Sequence, residues 1–562
     1  MKTKLSRRQF IKSSFIAVLS ASTVSCRPIF TKKTAINNLV TPKLTKTLEL
    51  PEKFTHQVIA SWGDNLFNNE DYNFHAPNVN THKKCYGYNN DYCTYIPIQG
   101  SSARGLLCVN HEYTIPKLMF PDQYFEENPK QALSICMDSV GHSIFEIKRT
   151  NEKWNIVKNS PYNRKISANN TICEIKGAAS GHRRLRTRFD RTGTKVLGTL
   201  ANCSGGKTPW GTILIGEENF NMSFGGKNII PSEERNIKQY RIKKHAQFNA
   251  EKYFKRFNIS KEPGEVNKFG YLVEIDPFKP EKPPVKRTSL GRFFHEGAAI
   301  TIDQNNRAIV YTGDDQSFEH FYKFISSEKY DPKNPDPDIL DKGILHVAKF
   351  YEDHTIKWVP LIHGYNGLTE NNGFDSQADI AIETRAAARQ VGATKLDRPE
   401  GIAINPKNGN ICVALTNNYR RFKKDIASPE APNFDGYILE IDELNSKWRI
   451  KINAANTELS NPDNLTFDSK GNLYIATDGM ERNRKISDSI FKIDYNSNII
   501  TRMLNSPLGS EICGISFTPD EKTLFTCVQH PGAKSSFNNP STRWPQFNQN
   551  IPPLPSIIAI DL

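Results

Sequence analysis

From about residue 51 the chain alternates short apolar runs with clusters of Asp, Asn, Gly and Pro, a spacing that predicts strands between turns. Few stretches carry helical periodicity; Phe125 to Ile135 and Ala378 to Val391 are the helix candidates. The later half repeats itself loosely: HEGAAITIDQNNRAIVYTGDD from His295, RPEGIAINPKNGNICVALTNN from Arg398, NPDNLTFDSKGNLYIATDG from Asn461 and CGISFTPDEKTLFTCVQHPG from Cys513. Each unit has a polar opening, an apolar strand, a turn rich in Asp, Asn and Gly, and a second β run. Repeated two-strand units with insertions between them point to propeller blades. Stacked β-sandwiches fit the strand signal too, but give no reason for an acid at the start of each unit.

Glu296, Glu400 and Asp463 hold that place in three successive units. If the first strands line a common axis, these acids converge there, and converging carboxylates repel unless cations sit among them. Calcium is the hard cation that uses such a set. Asp314-Asp315, Asn417-Asn418 and Asp478 stand at the far ends of the units. Upstream, NCSGGKTPWGT (Asn202 to Thr212) reads as a tight turn at Gly205-Gly206 feeding a strand from Trp210 to Ile215. The neighbours of Cys203 leave it open as a buried apolar residue, a disulfide half, a nucleophile or a metal ligand.

The first residues change the picture of where this fold works. Ser6-Arg7-Arg8-Gln9-Phe10-Ile11-Lys12 reads as a twin-arginine export signal ahead of an apolar stretch from Phe15 to Val24. That pathway carries folded proteins, often ones that need a cofactor inserted first. Thr-Val-Ser-Cys ending at Cys26 loosely resembles a lipoprotein cleavage box, with ordinary signal cleavage nearby as the alternative. We therefore expect residues 1–26 as signal, 27–50 as a polar tether and 51–562 as the folded β domain. Mean hydropathy is −0.56, and no apolar run reaches the roughly 18 residues a multi-span membrane protein repeats. The formal net charge of +14 falls to about +9 without the signal. Its basic residues are scattered, and the short run Arg183-Arg184-Leu185-Arg186 reads as a solvated face, so no nucleic-acid partner is expected. Nine cysteines follow Cys26 with no C-x-x-C pair, leaving at least one unable to pair within the chain.

The order of many blocks resembles the PhoX-type alkaline phosphatases from about Trp62 to the C-terminus. These blocks include SWGDNLF, YGYNNDY, LLCVNHEYT, NCSGGKTPWGTILIGEENFN, PVKRTSLGRFFHEGAA, YTGDDQSFEHFYKF, ATKLDRPEGIAINP, SNPDNLTFD, LYIATDG and VQHPG. The resemblance implies an all-β, decorated six-bladed β-propeller with helical and loop insertions, exported and monomeric. It implies hydrolysis of phosphate monoesters at an axial calcium–iron (Ca2+, Fe3+) cluster with a bridging oxo group and a metal-held oxygen nucleophile. Carried over by motif, Cys203 is an iron ligand, Glu296, Asp315 and Glu400 are metal ligands, and Arg398 contacts substrate phosphate. Arg398, Glu400 and Cys203 are thus the expected catalytic set. Glu217, Glu218, Asp463 and Asp478 lie in matching blocks and are assigned to the metals as well. A thiolate suits iron and scarcely suits calcium, so a mixed cluster accounts for one cysteine among many acids.

His111, His142, His295 and His530 lie in matching blocks too and are read mainly as packing or supporting residues. Arg287 and Lys395 are read as ordinary charges, and Trp62, Trp210 and Trp544 as packing. Expected partners are small phosphate esters and the twin-arginine machinery, with membrane anchoring if Cys26 is lipidated. The expected location is periplasmic, lipid-anchored or extracellular. Two rival readings stay open here: a calcium-dependent propeller lactonase or phosphotriesterase, and an exported propeller that only binds.

Overall fold

The computed structural model describes residues 38–562, so the export signal, Arg7-Arg8 and Cys26 lie outside it. The described chain is dominated by β structure arranged as six separate sheets, none closed on itself. Four of them begin at the repeated units. His295–Ile302 pairs with Arg307–Asp314, Pro399–Ile404 with Ile411–Leu415, Pro462–Phe467 with Leu473–Thr477, and Glu511–Phe517 with Thr523–Gln529, all antiparallel. Two further sheets start at Asn90–Pro97 with Arg104–His111, and at Asn202–Lys207 with Ile213–Glu217. The last sheet takes its outer strand, Thr55–Ser61, from the start of the domain, where it pairs with Ser556–Asp561. Thr55–Ser61 is the outer edge of that sheet, so residues from the two ends of the domain are held in one hydrogen-bonded unit.

The first strands of the six sheets are neighbours. Each lies against two others, in the order Asn90–Pro97, Asn202–Lys207, His295–Ile302, Pro399–Ile404, Pro462–Phe467, Glu511–Phe517 and back to Asn90–Pro97. Apolar clusters fill the space between adjacent sheets; Leu214, Phe293, Val310 and Tyr322 belong to one, and Ile309, Val413, Leu439 and Trp448 to the next. Trp62 and Trp544 are buried and Trp210 half-buried against Tyr330, as packing residues.

Three local expectations change. Gly205 and Gly206 of NCSGGKTPWGT lie inside the strand Asn202–Lys207 rather than in a turn, where the next first strand comes too close for a side chain. A Cβ on Gly206 would stand 2.0 Å from the Ala298 carbonyl oxygen. The first helix candidate divides at Asn128 into Tyr124–Glu127 and Pro129–Ser139, the proline ring suiting the first helical position of the latter. The second divides into Gln377–Ile382 and Thr384–Gln390, because Glu383 leaves helical geometry.

Residues 39–49, expected as part of the tether, pack on the fold, while 27–37 lie outside the described residues. Leu48 is buried, and residues 39–49 run along the fifth and sixth sheets with backbone hydrogen bonds such as Leu39 to Arg502 and Glu49 to Asn505. Among the described residues no helix is long and apolar enough to cross a membrane. All nine cysteines there are buried and unpaired.

Candidate metal centre

Strand register builds the site. In each of the first five sheets, in chain order, the first strand carries a β-bulge, two residues standing opposite one on the partner. The first residue of each bulge is Asp91, Cys203, Glu296, Glu400 and Asp463 in turn, and all five line one cavity of about 290 Å³. The residue just past the end of each second strand forms an adjoining tier. There stand Glu112, Glu218, Asp315 and Asp478, again lining the cavity, with Thr416 in the fourth sheet. Glu511, Tyr113, Asn219, Gln316, His530 and Arg398 complete the lining.

Among the described residues, nine carboxylates therefore face one arginine. Arg398 Nη2 lies 2.7 Å from Asp315 Oδ2 and 2.6 Å from Glu400 Oε1. Its backbone is held at φ +58°, a left-handed conformation that arginine adopts only under constraint. Cys203 Sγ lies 3.5 Å from Asp91 Oδ2, and Gln529 Nε2 donates to Asp91 Oδ2 at 3.0 Å and Glu112 Oε2 at 3.3 Å. Asn110 fixes the cysteine's strand by donating through Nδ2 to the Cys203 carbonyl at 2.6 Å, while its own Oδ1 meets His142 Nδ1 at 2.7 Å.

Burial and mutual repulsion dominate the electrostatics. Burial first, then neighbouring carboxylates, push Glu218, Glu296, Asp463 and Glu511 well above the usual carboxylate range. Glu400 moves the same way although Arg398 opposes it. Asp91 is raised to about 6 and Glu112 to about 8, burial again leading. Burial and the charges of Asp91, Glu112 and Glu296 push the Cys203 thiol well up. Asp478 is lowered instead: burial would raise it, but the Glu511 hydrogen bond and the charges of Arg398, His530 and Arg482 together outweigh that. Asp91 Oδ1, Glu296 Oε1 and Asp315 Oδ1 are buried with no hydrogen-bond partner, an expensive arrangement for polar atoms.

These orphaned oxygens fit bound cations. Asp91, Cys203 and Glu296 offer donor atoms within 4.8 Å of one another; so do Glu112, Cys203 and Glu218, and Glu218, Glu296 and Asp315. A fourth such group joins Asp91 and Glu511 to Cys513, so the donor atoms are mostly hard oxygens, with soft thiols at Cys203 and Cys513.

The sequence-expected residues divide cleanly. Cys203, Glu218, Glu296, Asp315, Arg398, Glu400, Asp463 and Asp478 come together here. Glu217 does not, which corrects its assignment to the metals. It ends a strand, so its side chain points to the opposite face from its neighbour Glu218. There it is buried against Lys286 Nζ at 2.7 Å, and it accepts from the Thr199 hydroxyl and the Gly270 backbone. Asp314 likewise turns away from Asp315 to pair with Arg385, Nε to Oδ2 at 2.7 Å.

Of the four histidines, only His530 lines the cavity, 3.4 Å from Glu511 Oε1. His111, His142 and His295 are buried in hydrogen bonds to Ser143, Asn110 and Thr312. Arg287 is buried against Glu274 and Asp341, and Lys395 is exposed. Asp91 and Glu112 lie in the blocks YGYNNDY and LLCVNHEYT without an assigned role, and Glu511 lies in none of the blocks. For Asp91 and Glu112 the available signal is position: each stands at a strand boundary that matches an acid in another unit.

A family model described as alkaline phosphatase PhoX matches residues 36–532. The structure of Pseudomonas fluorescens PhoX in complex with vanadate, a transition state analogue, is 33% identical, with TM-score 0.87 over 94% of this chain and 98% of that one. A protein of unknown function from Dyadobacter fermentans is 8% identical over 90% of this chain and 99% of that one, with TM-score 0.35. A gluconolactonase from Xanthomonas campestris is 10% identical over 52% and 82%, with TM-score 0.21. No curated protein sequence matches the chain.

Proposed function

Because this chain belongs to the PhoX family of alkaline phosphatases, we propose that it releases inorganic phosphate from small phosphate monoesters at the carboxylate-lined cavity, with calcium and iron as its metals. The observation that carries this reading is the cavity's composition: nine carboxylates and a thiol around a single arginine. When bound, such cations supply Lewis-acid charge that neutralises the phosphoryl oxygens and activates the attacking oxygen. Glu218, Glu296, Asp315, Glu400, Asp463 and Asp478 would hold the hard ions, and Cys203 the iron. Asp91, Glu112 and Glu511 join that set.

The chain's own groups do the positioning. Arg398, whose Nη2 is held by both Asp315 and Glu400, leaves its other nitrogens as a planar donor fork for phosphoryl oxygens. A lactonase built on calcium alone gives Cys203 no task. The P. fluorescens protein binds vanadate, which suits a cavity made for a phosphoryl group in transition.

Elemental analysis is expected to find iron together with calcium, and the protein to hydrolyse p-nitrophenyl phosphate at alkaline pH. Cys203→Ala should lose iron and nearly all activity, whereas Cys412→Ala, buried in an apolar cluster, should lose neither. Calcium without iron, or equal effects of the two substitutions, would overturn the mixed centre.

The six-bladed arrangement about one axis is supported by the cyclic order of the first strands, and a crystal structure with the sheets stacked in two layers would sink it. Monomeric behaviour is part of the same reading, checked by solution mass. We also propose export by the twin-arginine pathway. Replacing Arg7 and Arg8 by lysine should leave the protein in the cytoplasmic fraction; unchanged export would remove that proposal and the periplasmic, lipid-anchored or extracellular location with it.

A further inference from the structure

The sixth first strand, Glu511–Phe517, also carries a bulge. Its register with Thr523–Gln529 breaks between Cys513 and Ile515. Counted from the point where pairing resumes, Cys513 occupies the position of Asp91 before Cys93, Cys203 before Gly205 and Glu296 before Ala298. The strand of Asp91 lies between the strands of Cys203 and Cys513. Asp91 therefore stands between two thiols.

Three observations separate Cys513 from a cysteine that merely fills space. Its sulfur, a carboxylate oxygen of Asp91 and one of Glu511 lie within 4.8 Å of one another. Asp91, only 2% exposed, has Oδ1 without any partner. Gln529, fully buried, places Nε2 3.8 Å from Cys513 Sγ and 3.0 Å from Asp91 Oδ2, while its Oε1 is unpartnered. Cys412 has no such company; it packs among Ala414, Ile438 and Ile475. The far side of Cys513 does belong to an apolar cluster with Cys93, Phe525 and Cys527, so the residue sits on the border between core and site.

Building on the proposed function, we infer that Cys513 is a second thiol donor of the metal centre, forming with Asp91 and Glu511 a subsite for a borderline first-row ion, iron or zinc, across Asp91 from Cys203. Two carboxylates and a thiolate suit such an ion and not calcium. Binding exchanges the thiol proton for the metal: the S–H bond breaks, the S–metal bond forms and the proton leaves to solvent. No change of sulfur oxidation state is involved.

X-ray absorption at the iron and zinc edges of the purified holoprotein, with elemental analysis, tests this. Two sulfur ligands per chain are expected in the wild type, one in Cys513→Ala and one in Cys203→Ala, with two retained in Cys412→Ala. Cys513→Ala should also lose one iron or zinc per chain. Cys513→Ser keeps the volume and, with thermal unfolding of each variant, separates ligand loss from misfolding. The wild-type sulfur count needs no variant at all. One sulfur in the wild type, abolished by Cys203→Ala and indifferent to Cys513→Ala, would overturn the inference while leaving the proposed function standing. Absence of any sulfur-ligated metal in the wild type would remove both.

Discussion

Replacing Arg398 by alanine is expected to lower kcat/KM for p-nitrophenyl phosphate by about 10³, or about 4 kcal/mol of transition-state stabilisation. Among the described residues Arg398 is the only arginine or lysine lining the cavity, and its Nη2 is held by Asp315 and Glu400 before substrate arrives. Nothing has to be reorganised when phosphoryl charge builds. Arg398→Lys keeps the charge but not the fork, so an intermediate loss of roughly 10- to 100-fold is expected. Metal content measured on the same preparations should stay at the wild-type level in both variants. A loss under tenfold in Arg398→Ala with metals retained would show that phosphate is held entirely by other groups.

Removing the metals should have the second large effect, on activity and on stability together. Chelation of the holoprotein is expected to bring hydrolysis below about 1% of its starting rate, because the cations carry the neutralising charge. The apoprotein should then become less stable as pH rises. Asp91 at about 6 and Glu112 at about 8 are raised above their ordinary values, which in the unfolded chain lie near 4.

The folded apoprotein thus binds more protons than the unfolded chain between those limits, and unfolding free energy falls with pH there. The associated stability is fully present below about pH 4 and lost as pH climbs through 6 and 8. Bound cations reverse this by giving the ionised acids partners; at 100-fold excess over Kd, one site alone adds about 2.7 kcal/mol. Thermal unfolding of apo and holo protein at pH 5, 7 and 9 checks the sign. A gap between the two forms that shrinks with rising pH would refute the cation role assigned to these acids.

Much of the site was legible because its residues repeat with the strands that carry them. Glu296, Glu400 and Asp463 open three aligned units, and register places all three at the first residue of a bulge. Asp91 was harder to see. Its unit has the turn IQGSSARG, which lacks the Asp-Asn-Gly pattern of the later turns, so the repeat could not be extended back to it. Glu112 and Glu511 stand at strand boundaries, where composition alone does not separate a ligand from a turn residue.

Glu217 and Glu218 mark the limit from the other direction. Adjacent identical residues have the same composition and the same propensities. Only the strand's period of two sends one to Lys286 and the other to the cavity.

By itself, then, the sequence determined the β character, the repeated two-strand unit, the family and most of the acids, because each depends on local pattern or on long ordered blocks. The tertiary structure decided which side of each strand faces the cavity, that residues 39–49 pack on the sheets, that Gly205-Gly206 lie within a strand, and that Asp91 stands between Cys203 and Cys513. Those facts rest on register and on contacts between strands hundreds of residues apart, and a one-residue slip in register exchanges the two faces of a strand.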